Sequence, residues 1–185
     1  IAMTTAIMQH FGVQVQRRGR SFIIKPQPYK PTRYVIEGDA SSATYWWALA
    51  AITGSCITVD NIPADTLQPD ARFKKLLQHM GCQVQGNTVI GPWASTLKPV
   101  QVNMSDYPDA VMSAAIVMAR ANGTSRIRGV GHLAHKETDR LALLHKNFKA
   151  LGISTRRTST SLTIAGHPKA LRPYTVTTGN DHRMA

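Results

Sequence analysis

The chain has 185 residues, 43% of them hydrophobic, so it is long and apolar enough for a folded core, and a disordered chain is excluded. Twenty-two Lys and Arg residues against ten Asp and Glu residues leave a formal charge of +12, which favours an anionic partner: nucleic acid, an acidic membrane surface or a phosphorylated metabolite. No apolar run approaches the roughly 18 residues of a membrane span, no signal-peptide pattern opens the chain, and its two cysteines lack zinc-like spacing.

Three amphipathic helical patterns each end at a glycine, and these glycines recur about every 70 residues. They are Gly12, Gly81 and Gly152. Each glycine is followed by two alternating stretches around a short polar turn, which is typical of a β-hairpin. The predicted strand pairs are 13–16 with 21–25, 82–85 with 88–90, and 153–156 with 161–165.

A second landmark has the same period, an aspartate in front of small helix-forming residues, at Asp39, Asp109 and Asp181. Such a carboxylate accepts from the free amides of the first helical turn, so all three are predicted N-caps. The predicted helices and the strands after them span 42–52, 56–59, 110–121 and 125–128. The sequence therefore predicts a repeated α/β unit of helix, strand, helix, strand and strand, and the alternative is three ordinary units in coincidental register.

Residues 136–140, Lys-Glu-Thr-Asp-Arg, stand at the predicted start of a helix running to about residue 151, where backbone amides favour anions. The i, i+4 spacing places Lys136 and Arg140 on one helix face with Glu137 beside them. Two cations and a carboxylate could clamp a phosphate or carboxylate and offer a proton. The alternative is a solvent-exposed charge cluster in which Glu137 and Asp139 complement the helix dipole.

Two further segments carry titratable side chains at predicted turns. Asp109 follows Pro108 at a strand-to-helix turn, where it is either a general base or a plain N-cap. Residues 180–183 combine Asp181 with His182 and Arg183, which suits oxyanion recognition or a simple polar turn. Elsewhere, Trp46 and Trp47 are predicted core residues, and the arginine-rich turns at 17–20 and 156–157 are predicted to be solvated hairpin tips.

Four segments resemble the 3-phosphoshikimate 1-carboxyvinyltransferases in order and spacing: residues 37–43, 106–110, 136–140 and 180–185. The resemblance spans nearly the whole chain, and its last two motifs differ from those of the related enolpyruvyl transferase that acts on a UDP-sugar. It implies the α/β enolpyruvyl transferase fold, in which each of two domains contains three β-α-β-α-β-β units around a pseudo-threefold axis. It also implies that residues 1–37 complete the shikimate-phosphate-binding domain as a partial last repeat. Residues 38–185 would form most of the second domain, with two repeats and the start of a third.

The resemblance implies transfer of the enolpyruvyl group of phosphoenolpyruvate to the 5-hydroxyl of shikimate 3-phosphate, with release of phosphate. By this resemblance Asp109 binds the shikimate hydroxyls and is a candidate base, Glu137 is the candidate acid or proton shuttle, and Lys136 approaches the reacting hydroxyl. Proton transfer and electrostatics suffice for this chemistry, so no metal and no organic cofactor is expected.

The same resemblance assigns the anion contacts. Arg140 and Arg183 would bind phosphoenolpyruvate, with His182 close by. His132 stands four residues before the motif lysine, where many relatives have an Asn that contacts the shikimate phosphate, and it is a further candidate for that contact.

Several family segments are absent, including the N-terminal Gly-Ser-Lys-Ser loop and the C-terminal Lys. We therefore expect part of a longer, monomeric enzyme of the bacterial cytoplasm or of a plastid, and no turnover by these 185 residues alone. No nucleic-acid or membrane partner is expected. The alternatives are a basic nucleic-acid-binding module, suggested by the +12 charge but lacking a recognisable motif, and a non-catalytic fragment.

Overall fold

The computed structural model describes residues 1–93, 96–168 and 173–185. Its contacts divide the chain into two compact units, of which the first comprises Ile1–Glu37 and Pro63–Gln68. The second unit comprises Gly38–Ile62 and Pro69–Ala185, and it contains the main hydrophobic core. Within the described ranges no helix combines the length and the apolarity that crossing a membrane requires.

The first unit contains a helix followed by an antiparallel hairpin: α1 (Ala2–His10), β1 (Val15–Arg18) and β2 (Ser21–Ile24). Gly12, at φ +81°, ends the helix as predicted. The first strand starts two residues later than its predicted range of 13–16. The reason is local. The Val13 amide donates to Met8 O at the end of the helix, and the Gln14 amide donates to the Gln27 side chain, so neither amide pairs with a strand.

The second unit opens with one full helix-and-hairpin repeat. Its elements are α2 (Ala40–Thr53), β3 (Cys56–Thr58), a 3₁₀ turn (Pro69–Arg72), α3 (Phe73–His79), β4 (Gln83–Gln85) and β5 (Thr88–Ile90). The strands form an antiparallel sheet in the order β3-β5-β4, with fully buried Val89 in the central strand. The hairpin predicted at 82–85 and 88–90 is confirmed.

The next repeat is more complete. Its elements are β6 (Gln101–Asn103), a 3₁₀ turn (Pro108–Ala110), α4 (Val111–Ala119), β7 (Gly123–Arg128), a second 3₁₀ turn (Gly131–His135), α5 (Arg140–Ala150), β8 (Thr155–Arg157) and β9 (Ser161–Gly166). The sheet order is β6-β7-β9-β8, with β6 parallel to β7 and the other pairs antiparallel. This is a β-α-β-α-β-β unit. Its leading strand, with one apolar residue between two polar ones, is too short for the alternation pattern to reveal.

Helices α2 and α4 pack against each other through small side chains. Ala43 and Ala114 are buried, and Thr44 and Ser113 share a buried hydrogen bond of 2.8 Å between their hydroxyl oxygens. Trp47 is fully buried in the same core, whereas Trp46 is more than half exposed, so the prediction that both are core residues is wrong for Trp46. Successive helical residues point about 100° apart, so two large neighbouring side chains can differ strongly in burial.

Candidate functional site

Asp39 caps α2. Its carboxylate accepts from the amides of Ser41 at 2.9 Å and Ser42 at 3.2 Å, and from the Ser42 hydroxyl at 2.6 Å. These bonds satisfy amides that have no partner within the helix. The N-cap predicted at Asp39 is confirmed.

Asp109 does not cap α4, so the N-cap prediction is wrong there. It lies within the 3₁₀ turn Pro108–Ala110, and in the part of the chain that the structure describes no side chain caps the helix that begins at Val111. Its carboxylate accepts instead from Nη1 of Arg140 at 2.9 Å. Lys136 Nζ and Arg183 Nη2 lie 3.9 and 3.8 Å from its two oxygens, so three cations surround this carboxylate.

Residues 136–139 of the charged segment precede α5, and only Arg140 lies on it, as the first residue of the helix. The preceding 3₁₀ turn ends at His135, and Asp139 caps the helix by accepting from the Ala142 amide at 2.9 Å. The prediction that Lys136 and Arg140 share a helix face is therefore wrong. An irregular turn, and not helical periodicity, brings these side chains to Asp109.

Arg140 is the buried centre of the site, with a side chain only 2% exposed. Its Nε donates to Asp181 Oδ2 at 2.7 Å, its Nη1 to Asp109, and its Nη2 to Glu137 Oε2 at 2.6 Å and Asp181 Oδ1 at 3.1 Å. A buried charge is tolerated when it is paired and its donors are satisfied. All three guanidinium nitrogens are occupied by protein carboxylates.

Asp181 is as deeply buried as its partner, with no exposed side-chain surface. It also accepts from the Arg183 amide at 2.9 Å and from the Thr138 hydroxyl at 3.1 Å. The hydrogen bond from Arg140 is the main cause that lowers the pKa of Asp181 to about 2. We name the set Asp109, Lys136, Glu137, Arg140, Asp181 and Arg183 the carboxylate–cation cluster.

The remaining predicted residues lie at different depths. Arg183 is mostly buried, faces Asp109, and interacts with the Tyr45 hydroxyl. His182 is exposed, with its Nδ1 3.9 Å from Asp181 Oδ1 at the rim of the cluster. His132 is exposed in the 3₁₀ turn Gly131–His135, and in the described part of the chain no hydrogen bond or ion pair joins it to the cluster.

The cluster presents both charge signs to solvent. Glu137 is 50% exposed, Asp109 is 31% exposed and Lys136 is comparably accessible, so all three can touch a ligand. Over the described ranges no group of His, Cys, Asp and Glu side chains is arranged to hold a metal ion. Cations beside accessible carboxylates can hold an anion and exchange protons with it.

The sequence profile of EPSP synthase (3-phosphoshikimate 1-carboxyvinyltransferase) matches residues 1–185. The chain belongs to the EPSP synthase family. It is 38% identical over 188 residues to the 3-phosphoshikimate 1-carboxyvinyltransferase of Methanosphaerula palustris, a match that covers the whole chain and 44% of that relative. It is 36% identical over 198 residues to the chloroplastic enzyme of Arabidopsis thaliana, of which the match covers 38%. The chain thus spans less than half the length of these relatives.

Solved structures support the same fold. An EPSP synthase from Acinetobacter baumannii superposes with a TM-score of 0.76 at 22% identity, covering 98% of this chain and 45% of that one. The enolpyruvyl transferase NikO from Streptomyces tendae superposes with a TM-score of 0.68 at 20% identity, covering 94% of this chain and 41% of that one. The α/β enolpyruvyl transferase fold implied by the sequence motifs is therefore confirmed.

Sequence reasoning missed two contributors to the site of this EPSP synthase family member. Asp181 was predicted as a cap within the segment 180–183 but not as a partner of Arg140, although its place in the repeat, equivalent to that of Asp109, was a usable signal. Tyr45 stood within an apolar helix, where nothing distinguished it from a core residue. Its contact with Arg183 joins residues far apart in the chain, which local patterns do not encode.

Proposed function

We propose that the full-length protein transfers the enolpyruvyl group of phosphoenolpyruvate to the 5-hydroxyl of shikimate 3-phosphate and releases phosphate, a step of aromatic amino acid biosynthesis. Membership of the EPSP synthase family supports the reaction class. The observation that carries the proposal is the carboxylate–cation cluster, because it sets accessible acid and base groups beside fixed positive charge.

Both proposed substrates are anions, and the cluster contains three cations that can attract them: Lys136, Arg140 and Arg183. Lys136 and Arg183 both lie beside Asp109, where they can hold an anion next to that carboxylate. The guanidinium nitrogens of Arg140 already form ion pairs with Asp109, Glu137 and Asp181. For Arg140 to bind phosphoenolpyruvate, one of the exposed carboxylates must release it when the substrate arrives. His182, at the rim, is a further candidate contact.

The proton transfers are assigned to the two accessible carboxylates. Glu137, as the acid, delivers a proton to the methylene carbon of phosphoenolpyruvate, and the 5-hydroxyl oxygen attacks the resulting cationic carbon. Asp109, as the base, takes the hydroxyl proton, with Lys136 close enough to stabilise the developing charge. Phosphate then leaves, and the deprotonated Glu137 takes a proton back from the methyl group, so the C=C bond is restored and the product enol ether forms.

Glu137→Gln in the full-length protein tests this assignment. Glutamine keeps the size of the side chain and an acceptor for Arg140 but cannot deliver a proton, so kcat should fall by on the order of 10²–10⁴. The measurement is phosphate release from phosphoenolpyruvate that depends on shikimate 3-phosphate. Asp60→Asn, at an exposed aspartate in the loop after β3, is the matched control and should keep normal turnover.

Normal turnover by Glu137→Gln would show that another group carries the proton. Absence of phosphate release by the unaltered full-length protein would refute the reaction itself. Salt-sensitive retention on DNA, with no effect of phosphoenolpyruvate, would instead favour a nucleic-acid-binding module. The monomeric state and the cytoplasmic or plastid location stay predictions.

A further inference from the structure

A second buried carboxylate, that of Asp70, takes no part in the chemistry proposed above. Asp70 lies in the 3₁₀ turn Pro69–Arg72 and is 8% exposed. Its Oδ2 accepts from the Ser41 hydroxyl at 3.1 Å, but its buried Oδ1 has no hydrogen-bond partner among the described residues. A buried oxygen without a hydrogen-bond partner lowers the free energy of unfolding, so stability alone does not account for an aspartate at position 70.

The surroundings of Asp70 connect it to Asp109. The 3₁₀ turn that carries Asp70 packs against both α2 and the 3₁₀ turn Pro108–Ala110. The Ala110 amide, in the residue after Asp109, favours the ionised form of Asp70. Burial is the main cause that raises the pKa of Asp70; the negative charge of Asp109 acts in the same sense, and Ser41 and Arg183 oppose it. Asp70 thus lies between the start of α2 and the 3₁₀ turn Pro108–Ala110.

The repeat gives Asp70 a counterpart within the cluster. Asp70 follows Asp39 by 31 residues, as Arg140 follows Asp109 by 31 residues. Arg140 joins Asp109 to Asp181, which are the landmark aspartates of its own repeat and of the next. Asp70 likewise joins Ser41, two residues after Asp39, to the turn that carries Asp109. Each repeat therefore places a buried ionisable side chain between successive landmarks, acidic in one repeat and basic in the other.

We propose that Asp70 is a positioning residue for Asp109, holding the 3₁₀ turn Pro108–Ala110 against the start of α2 so that the Asp109 carboxylate stays within reach of Lys136 and Arg183. This inference rests on the proposed function, in which Asp109 is the base. Asp70 acts only through Asp109 and does not contact substrate. A displacement of about 1 Å at a reacting group can lower a rate by as much as about 10².

The test compares Asp70→Asn in two backgrounds of the full-length enzyme. In the otherwise unaltered enzyme, Asp70→Asn should lower kcat about tenfold or more and change the KM of either substrate less than about threefold. In an Asp109→Asn background, where the group being positioned is already lost, the same change should have no further effect on the residual kcat. A full tenfold loss in both backgrounds, or no loss in either, would overturn the proposal.

Asp60→Asn is the control for removing one negative charge and should leave kcat unchanged in both backgrounds. Should Asp70→Asn fail to fold, Ser41→Ala provides the same test, because it keeps the Asp70 carboxylate and removes its hydroxyl donor. We expect Ser41→Ala to lower kcat at least about threefold in the otherwise unaltered enzyme and to have no effect in the Asp109→Asn background. Normal activity of Asp109→Asn itself would refute the role of Asp109 and this inference together. A slow Asp109→Asn enzyme with a normal Asp70→Asn enzyme would refute positioning alone.

Discussion

At the scale of single residues, the ion pair between Arg140 and Asp181 fixes the position of the buried guanidinium at the centre of the site. Both side chains are essentially inaccessible, and two hydrogen bonds of 2.7 and 3.1 Å join them. Breaking a buried pair by neutralising one partner leaves an uncompensated charge, which is strongly destabilising. Arg140 therefore depends on Asp181 for its position, and through Arg140 so do Asp109 and Glu137.

The lowered pKa of Asp181 predicts a pH dependence of stability. Because its pKa is about 2 in the folded protein against 3.8 as the ordinary value, its contribution is complete above about pH 4 and is lost as pH falls through 2. Asp181→Asn should lower the free energy of unfolding of the full-length protein by on the order of 2 kcal/mol at pH 7. Urea denaturation at several pH values measures this difference, which should shrink towards pH 2.

The matched control is Asp106→Asn. Asp106 pairs with Arg72 at 2.9 Å, but both side chains are well exposed, so removing this pair should cost less than about 1 kcal/mol at any pH. An equal effect of Asp181→Asn at pH 7 and near pH 2 would contradict the linkage.

At the scale of elements, the glycines that end the helices were predicted correctly. Gly12, Gly81 and Gly152 adopt φ values of +81°, +103° and +80°, the left-handed conformation that favours glycine. Helix ends were harder to predict than helix existence. Helix α4 ends at Ala119 and not at 121, because the amides of Arg120 and Ala121 close tighter i−3 bonds.

Two glycines of the second unit should respond very differently to alanine. At Gly81 a new Cβ meets no atom of the described residues within 4 Å. The backbone conformation then opposes the substitution, at about 1 kcal/mol. At Gly91, just after β5, a Cβ would collide with the backbone carbonyl of Ala50 in α2, and relieving the overlap should cost about 2–3 kcal/mol. Urea midpoints of the two full-length variants provide the comparison. A larger loss for Gly81→Ala would contradict the packing argument.

At the scale of the whole molecule, the chain supplies one set of catalytic candidates and spans less than half the length of its relatives. All six residues of the carboxylate–cation cluster lie in the second unit, within Gly38–Ile62 and Pro69–Ala185. From the family resemblance we expect the full-length protein to supply further substrate contacts.

We therefore predict that the 185-residue chain by itself releases no phosphate from phosphoenolpyruvate and shikimate 3-phosphate, whereas the full-length protein does. The two proteins are compared in the same phosphate assay at equal molar concentration. Circular dichroism of the 185-residue chain is the control that separates an unfolded chain from a folded, inactive one. Phosphate release by the 185-residue chain would contradict the prediction.

The sequence by itself determined the repeated α/β unit, the hairpins after Gly81 and Gly152, the cap at Asp39 and the motifs that mark the family. These features depend on local physics, since periodicity, turn chemistry and capping involve residues within a few positions of one another. Only the tertiary structure decided that Asp109 pairs with Arg140 instead of capping α4, that Lys136 precedes α5, and that Asp70 and Asp181 are buried. A shift of one residue in a helix start turns a side chain by about 100°. The ion pairs that settle those directions join residues 31 and 41 positions apart, beyond the reach of any local pattern.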